Sequence, residues 1–193
     1  MTRNPHLRSR SQGSTLIEVL VAILILSFGL LAIGSFLAYT VQLPKLSGNR
    51  SVAVVAGSDL IERMRSNPTA SGSYVTTTYA TATFTTGAAP PTSLPSGSTC
   101  SFPSCTTATM ATMDLASVDF LLKNQLPSGT AGMRVEITTA PNIGRLWVVW
   151  QEPGNFGSFD TLSSDNCPDD IRGMTITADS IPRPRCVYLT FRL

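Results

Sequence analysis

The 193-residue sequence predicts an α+β fold, in which a long N-terminal helix packs on a small antiparallel sheet with a second short helix. Three observations lead to this prediction. A long uncharged apolar run near the N-terminus continues into an amphipathic helical pattern, and residues 107–126 return to helical spacing. Two segments in the last third of the chain then alternate apolar and polar residues with a period of two, which is typical of strands.

The apolar run has the length and composition of a membrane-spanning helix. Residues 19–44 carry no charge, and about 20 apolar residues are enough to cross the core of a bilayer. Arg3, Arg8 and Arg10 precede the run, and basic residues stay on the cytoplasmic side of a membrane. We therefore predict a single pass, with the N-terminus in the cytoplasm and everything after Pro44 across the membrane.

Glu18 is an acidic residue at the very start of this segment. An ionised carboxylate costs about 2.5 to 3.5 kcal/mol at a helix centre in the bilayer and less near the interface, so it usually has a purpose. A cut between Gly13 and Ser14 would create an amino terminus four residues earlier, on the same helix face. Glu18 would then pair with that terminus or with a neighbouring one. Two alternatives stay open: a secretory signal peptide cut near residues 32–34, and a plain membrane anchor.

The N-terminal helix is expected to run over residues 15–65. Pro44 predicts a kink or a locally melted stretch, because proline removes a backbone hydrogen bond. The dipeptide Asn67-Pro68 ends the helix, because the residue before proline disfavours the α conformation. The apolar face after Pro44 is predicted to comprise Val52, Val55 or Ala56, Leu60 and Met64.

A long loop and a second helix are predicted next. Residues 69–99 are rich in Thr, Ser, Gly and Pro, and residues 76–84 have weak edge-strand character. Such a segment can be O-glycosylated outside the cell, although a plain solvated loop is the favoured interpretation. The second helix is predicted over residues 107–126. Its apolar positions, with both methionines expected in the core, are Met110, Met113, Leu115, Val118, Leu121 and Leu122.

Three strands are predicted in the last third of the chain. Residues 133–138 alternate apolar and polar side chains, and a turn at residues 142–144 leads into a strand at residues 146–151. These two strands are expected to be antiparallel. A third strand is expected over residues 187–193.

All four cysteines lie beyond the apolar run, and an even set in an oxidising compartment predicts disulfides. Of the three possible connectivities, we favour Cys100 with Cys105, before the second helix, and Cys167 with Cys186, which tethers an acidic loop to the last strand. Zinc is disfavoured because Cys167 and Cys186 have eighteen residues between them. No cofactor or metal is expected. The oxygen-rich positions of the acidic loop fit no EF-hand spacing and are Asp160, Asp165, Asn166, Asp169 and Asp170.

Catalysis and nucleic-acid binding are not expected. The only histidine, His6, lies in the basic leader, so its removal takes away histidine-based acid-base chemistry. Removing residues 1–13 takes three arginines from the 14 basic residues and leaves 11 against 12 acidic ones. A nearly neutral surface does not favour broad binding to phosphates.

Residues 13–22, Gly-Ser-Thr-Leu-Ile-Glu-Val-Leu-Val-Ala, resemble the class III signal of type IV prepilins and type II secretion pseudopilins. The resemblance implies that a prepilin peptidase cuts after Gly13 and methylates the new amino terminus at Ser14. It also implies that Glu18 guides docking into a helical filament. The first mature residue of that superfamily is commonly Phe, and here it is Ser14.

Later segments resemble the minor pilin family PilV, the type IV pilus modification proteins. This resemblance implies a type IV pilin-like fold and a place in the pilus initiation or tip complex, supporting pilus biogenesis, twitching or adhesion. The implied partners are the prepilin peptidase, other minor pilins, the major pilin and the inner-membrane assembly platform. A type II secretion minor pseudopilin, a tip adhesin and a DNA receptor stay open as alternatives. The matching segments are residues 49–51, 59–68, 105–129, 148–150 and 186–189.

The resemblance also predicts the organisation of the chain. Residues 1–13 are a cleaved leader, and residues 14–67 form the N-terminal pilin helix with residues 16–43 as its transmembrane half. Residues 68–193 form a globular domain. While the helix is anchored in the inner membrane, this domain is expected in the periplasm. After assembly, the domain is expected on the pilus at the cell surface.

Overall fold

The computed structural model describes residues 15–95, 100–101, 103–138, 142–152, 166–174 and 184–193. The chain divides into two compact units, Met1–Pro44 and Lys45–Leu193. The strands and short helices that the described residues form all lie in the second unit. The first long helix contributes to both units.

Helix α1 spans Leu16–Ser66 and confirms the predicted long helix. Pro44 lies inside it without interrupting the helical structure, so the expected melted stretch is wrong. One missing backbone hydrogen bond does not unfold a helix whose flanking turns are intact. Asn67 leaves the helical region, with φ −130° and ψ 55°, directly before Pro68. The predicted helix end is therefore confirmed.

The segment predicted as a loop contains regular structure. A 3₁₀ helix runs over Pro68–Tyr74, and strand β1 is limited to Thr76–Thr77. Helix α2 occupies Thr81–Thr86, so most of the predicted edge strand is wrong. Tertiary packing outweighs the weak strand preference of this segment, because α2 fully buries the ring of Phe84.

Helix α3 spans Thr107–Gln125, as predicted, and two of the predicted core positions, Val118 and Leu122, are buried, whereas Met110 and Leu121 are exposed. Its N-terminus is closed by a reciprocal cap, in which Thr106 Oγ1 accepts from the Thr109 amide at 3.1 Å. Met110 is 38% exposed, so the expectation that both methionines lie in the core is wrong. The buried stripe of α3 consists of Ala111, Asp114, Val118 and Leu122. A short 3₁₀ helix at Pro127–Gly129 follows.

Within the described ranges, the sheet has four antiparallel strands in the order β1-β2-β3-β4. The register places Val135 opposite Leu146, and Val148 opposite Val187. The three predicted strands are confirmed, and β1 extends the edge next to β2. The further strands are β2 at Gly132–Ile137, β3 at Ile143–Gln151 and β4 at Pro184–Arg192, and helix α4 at Asp169–Arg172 lies between β3 and β4 in the chain.

One hydrophobic core joins α1, α3 and one face of the sheet. Gly57 lets α1 approach the sheet closely, since a Cβ atom there would lie only 2.8 Å from Leu189 Cδ1. Ala56 is 4% exposed whereas Val55 is 68% exposed, which decides between the two predicted core positions. The core includes Ala53, Leu60 and Met64 of α1, Val118 and Leu122 of α3, and Met133, Val135, Leu146 and Val148 of the sheet.

Candidate functional site

The candidate functional site is the N-terminal part of α1. Leu16–Leu37 has a mean hydropathy of 2.8 and is 0% buried within the chain. By length and composition this helix can cross a membrane. Its large apolar side chains need a hydrophobic environment from outside the chain, which a bilayer or neighbouring apolar helices would supply.

Glu18 lies in the first turn of this apolar helix. The carbonyl oxygen of Thr15 accepts from the Glu18 amide at 3.0 Å and from the Val19 amide at 3.3 Å, so the helix begins directly after Thr15. An acidic side chain is favourable at this end, because the helix dipole is positive there. Gly13 and Ser14 lie outside the described residues. Cleavage between them and pairing of Glu18 with an amino terminus therefore stay predictions.

A buried polar network fixes the other end of α1 to the globular part. Asp114 of α3 accepts from Arg63 Nη1 at 3.1 Å and from the Tyr74 hydroxyl at 2.7 Å. Asn67 Nδ2 donates to the Thr107 carbonyl at 2.8 Å. Burial is the main cause that raises the pKa of Tyr74 to about 12, and the hydrogen bond to Asp114 raises it further, so the hydroxyl remains a donor even in mildly alkaline solution. Because its members find partners, the network gives α1, the first 3₁₀ helix and α3 a defined arrangement.

Replacing Tyr74 tests the importance of this network. In Tyr74→Phe, the Asp114 oxygen that accepts from the hydroxyl loses its buried donor, and we expect the free energy of unfolding to fall by about 1 to 3 kcal/mol. Denaturant unfolding of the detergent-solubilised full chain measures the loss. The matched control is Tyr188→Phe on a half-buried tyrosine, for which we expect a change within about 0.5 kcal/mol. Equal losses in the two variants would contradict the prediction.

A second anchor ties α1 to the end of strand β3. Glu152 is 4% exposed and accepts from the Trp150 indole at 2.7 Å and from Asn49 Nδ2 at 2.8 Å. Sequence reasoning noted Asn49 and Trp150 in separate motifs and did not identify Glu152. The signal that could have found it is a lone carboxylate two residues after a tryptophan, but its partner on α1 is not visible in the sequence.

The structure pairs Cys100 with Cys105 and Cys167 with Cys186, with Cα atoms 5.3 Å apart in each pair. This separation lies within the range that a disulfide bridges. The second pair ties helix α4 to strand β4. Asp170 of α4 is held as well, since it accepts from Arg134 Nη1 at 3.2 Å and from the Tyr79 hydroxyl at 3.2 Å.

Nonreducing peptide mapping tests the disulfide connectivity. We expect one linked peptide pair that contains Cys100 and Cys105 and another that contains Cys167 and Cys186. In the chain-entropy account, the second bond stabilises by about 3 kcal/mol for a loop near 20 residues, and the shorter loop by less. Cys186→Ser should therefore lower the stability more than Cys105→Ser. A peptide that links Cys100 or Cys105 to either C-terminal cysteine would overturn this connectivity.

The fold and the apolar helix define a class of protein: a small α+β domain carried on a long helix that can enter a membrane. Two models of known protein families match this chain. Residues 40–116 match the model of a type IV pilin family, the Tt1218-like pilins, and residues 8–34 match the prokaryotic N-terminal methylation motif. Neither the curated proteins nor the solved structures gave a match.

The chain is therefore a type IV pilin-like protein with a prepilin-type leader, and its role lies in pilus or pseudopilus assembly. The methylation motif covers residues 8–13 of the predicted leader, the predicted cleavage site and Glu18. The pilin match covers α1 from residue 40 onward and about half of α3, including Arg63, Tyr74 and Asp114 of the buried network. Pilins are structural rather than catalytic proteins. The PilV subfamily stays a prediction.

Proposed function

We propose that this chain is a minor pilin of the PilV type, processed by the prepilin peptidase between Gly13 and Ser14 and incorporated in the initiation or tip complex of a type IV pilus. The observation that carries the proposal is the exposed apolar helix Leu16–Leu37 with Glu18 in its first turn. A pilus core of parallel apolar helices would bury that surface after it leaves the bilayer. Prepilin peptidase, the assembly platform and other pilins would be its partners.

The proposed topology follows from the leader and the cysteines. The arginines of residues 1–13 favour a cytoplasmic N-terminus in the inner membrane. The globular part, proposed as residues 68–193, would then lie in the periplasm and later on the pilus surface. An oxidising compartment there would allow the two cysteine pairs to form disulfides.

We infer that this is a rare subunit. Proline within α1 and the Thr/Ser-rich segment over residues 69–99 make the chain poorly suited to thousands of identical contacts along a filament. Quantitative proteomics of sheared filaments should find it at a small fraction of the abundance of the main pilin. Equal abundance would replace the minor-pilin proposal with a major structural role.

Deletion of the subunit gives the matching cellular test. We expect fewer pili and reduced twitching or adhesion, with unchanged synthesis of the main pilin. Disabling pilus retraction as well should ease the defect, because a defect in initiation is kinetic. Unchanged pilus number in the deletion strain would count against a role in initiation.

A type II secretion minor pseudopilin is the second candidate function. The methylation motif favours it equally, because prepilins and pseudopilins share this leader. The genes next to this one separate the two candidates, since they encode either a pilus or a secretion system. Loss of secretion with normal pili in a deletion strain would favour the pseudopilin.

A further inference from the structure

A cleft of about 300 Å³ lies on the face of the sheet opposite to α1, between strands β2, β3 and β4 and the segment around helix α4. Side chains of a strand alternate between the two faces of a sheet. Leu146 and Val148 of β3 pack in the core with α1, so Trp147 between them points to the other face. The proposed function uses none of the sheet side chains that line this cleft, which are Arg134, Glu136, Arg145, Trp147 and Tyr188.

The wall of the cleft around α4 is fixed to the sheet. The disulfide between Cys167 and Cys186 joins this wall to β4. Arg134 of β2 reaches the wall as well, since its Nη1 donates to Asp170 at 3.2 Å. The cleft is therefore a defined feature of the fold, and its volume lies at the lower end of the range for ligand pockets, which begins at about 300 Å³.

One positive charge in this cleft lacks a carboxylate partner. Arg134 is paired, since it contacts Glu136 at 2.6 Å in addition to Asp170. Arg145 is exposed, and within the described part of the chain its side chain forms neither a salt bridge nor a hydrogen bond. A bound anion would compensate the charge of Arg145, whereas a neutral or cationic ligand would not.

The acids around the cleft limit the charge of that anion. Arg172, the third arginine of the lining, already lies 3.8 Å from Asp169. Glu136, Asp169 and Asp170 would repel the repeated phosphates of a nucleic acid strand. A phosphate monoester carries nearly two negative charges, which is more than Arg145 compensates. A single carboxylate carries one, and its two oxygens match the planar fork of a guanidinium group.

The aromatic pair beside Arg145 favours a ring attached to this carboxylate. Arg145 precedes Trp147 by two residues and therefore lies on the same face of β3. Tyr188 of β4 is directly opposite Trp147, with the two ring centroids 5.1 Å apart, and the pair provides flat apolar surface. We propose that the cleft binds a ligand with a single carboxylate on a six-membered ring, the carboxylate on Arg145 and the ring against the aromatic pair. This inference does not depend on the minor-pilin assignment.

Heteronuclear NMR of the tryptophan indole groups tests the proposal on the full chain in an uncharged polyoxyethylene detergent. The probes are benzoate and methyl glucuronide, each compared with a neutral counterpart, benzamide and methyl glucoside. We expect at least one carboxylate to shift the Trp147 signal in a saturable way, and the neutral counterparts to leave it in place. Trp150 is the internal control, because its indole donates to Glu152 and its side chain is buried on the α1 side of the sheet.

The two carboxylates also distinguish the sources of the ligand. A response to benzoate alone supports an aromatic acid, and a response to the glucuronide alone supports a sugar acid. A saturable shift with neither carboxylate, or an equal shift with a neutral counterpart, would overturn the proposal. Tighter binding of phenyl phosphate than of benzoate would overturn the assignment to a carboxylate.

A charge-removing variant locates the site. Arg145→Gln should weaken binding of the carboxylate by about tenfold or more. The matched control is Arg192→Gln, which removes the same charge from an exposed residue of β4 that does not line the cleft, and we expect a change below about twofold because of screening. Unchanged binding in Arg145→Gln, or an equal loss in both variants, would overturn the proposed location.

Salt dependence covers the case in which Arg145→Gln does not fold, since it is measured on the unchanged protein. Raising the salt concentration from about 0.02 M to about 0.5 M should weaken carboxylate binding several-fold, because the charge of an exposed arginine is screened. Carboxylate binding that does not depend on salt would overturn the role of Arg145.

Discussion

The Glu18→Ala protein is expected to be made, inserted and cut, and yet to be missing from filaments. Glu18 lies in the first turn of α1, and the part of that helix over Leu16–Leu37 is otherwise apolar and exposed. Cleavage after Gly13 would place an amino terminus four residues earlier on the same face of the helix, so the carboxylate could pair with it or with a neighbour's terminus. The alanine variant lacks the carboxylate that would pair with the amino terminus, so we expect it not to dock into the filament.

The loss cannot be explained by poor insertion, because removing an acid from a membrane helix eases insertion. Immunoblots of membranes and of sheared filaments measure the two pools separately, and intact mass shows whether the leader has been removed. Val19→Ala is the matched control, since it also truncates a side chain in the first turns of α1 and keeps the carboxylate. Normal amounts of the Glu18→Ala protein in filaments would refute the docking role.

A chain with Gly13→Glu is expected to keep its leader. The peptidase has to reach the peptide bond after Gly13. In the variant, a charged side chain stands where the wild-type residue has no side chain. Intact-mass analysis of membrane-extracted protein should then show a start at Met1, whereas the unchanged chain should start at Ser14. Because only the cut chain would have the amino terminus proposed to pair with Glu18, we expect complete loss of the variant from filaments.

Ser11→Glu serves as the matched control for this experiment. It adds the same charge to the leader but leaves Gly13 in place, so cleavage should proceed. If the unchanged chain instead began at Gly34 or Ser35, an ordinary signal peptidase would be responsible. That result would refute both cleavage after Gly13 and the proposal that the chain is a pilin.

Much of the fold could be predicted because it is encoded in local patterns. The length of the apolar run, the proline after Asn67 and the period-two alternation of β2 each depend on a few neighbouring residues. Helix α1, the helix end and the three main strands were therefore predictable, and they are confirmed. The leader and Glu18 also form a local pattern, and it led to the pilin class.

Where a local preference was weak, packing decided the conformation. The Thr-rich segment around Phe84 became helix α2 because its ring is fully buried in a second hydrophobic cluster with Val149 and Cys167. On α3, the buried stripe includes Asp114, whereas Met110 is exposed. Hydropathy alone ranks methionine above aspartate for the core. Asp114 is nevertheless buried, because the side chains of Arg63 and Tyr74 donate hydrogen bonds to its carboxylate.

The sequence by itself determined the class of protein, its membrane helix and the outline of its sheet. Only the tertiary structure decided which distant polar groups meet, since Asn49 reaches Glu152 across 103 positions of the chain and Tyr74 reaches Asp114 across 40. The same holds for the burial of the Asp119 Oδ1 and Thr130 Oγ1 atoms. Backbone preferences are set by near neighbours, whereas the partner of a buried polar group is set by whatever the folded chain brings within 3 Å or so of it.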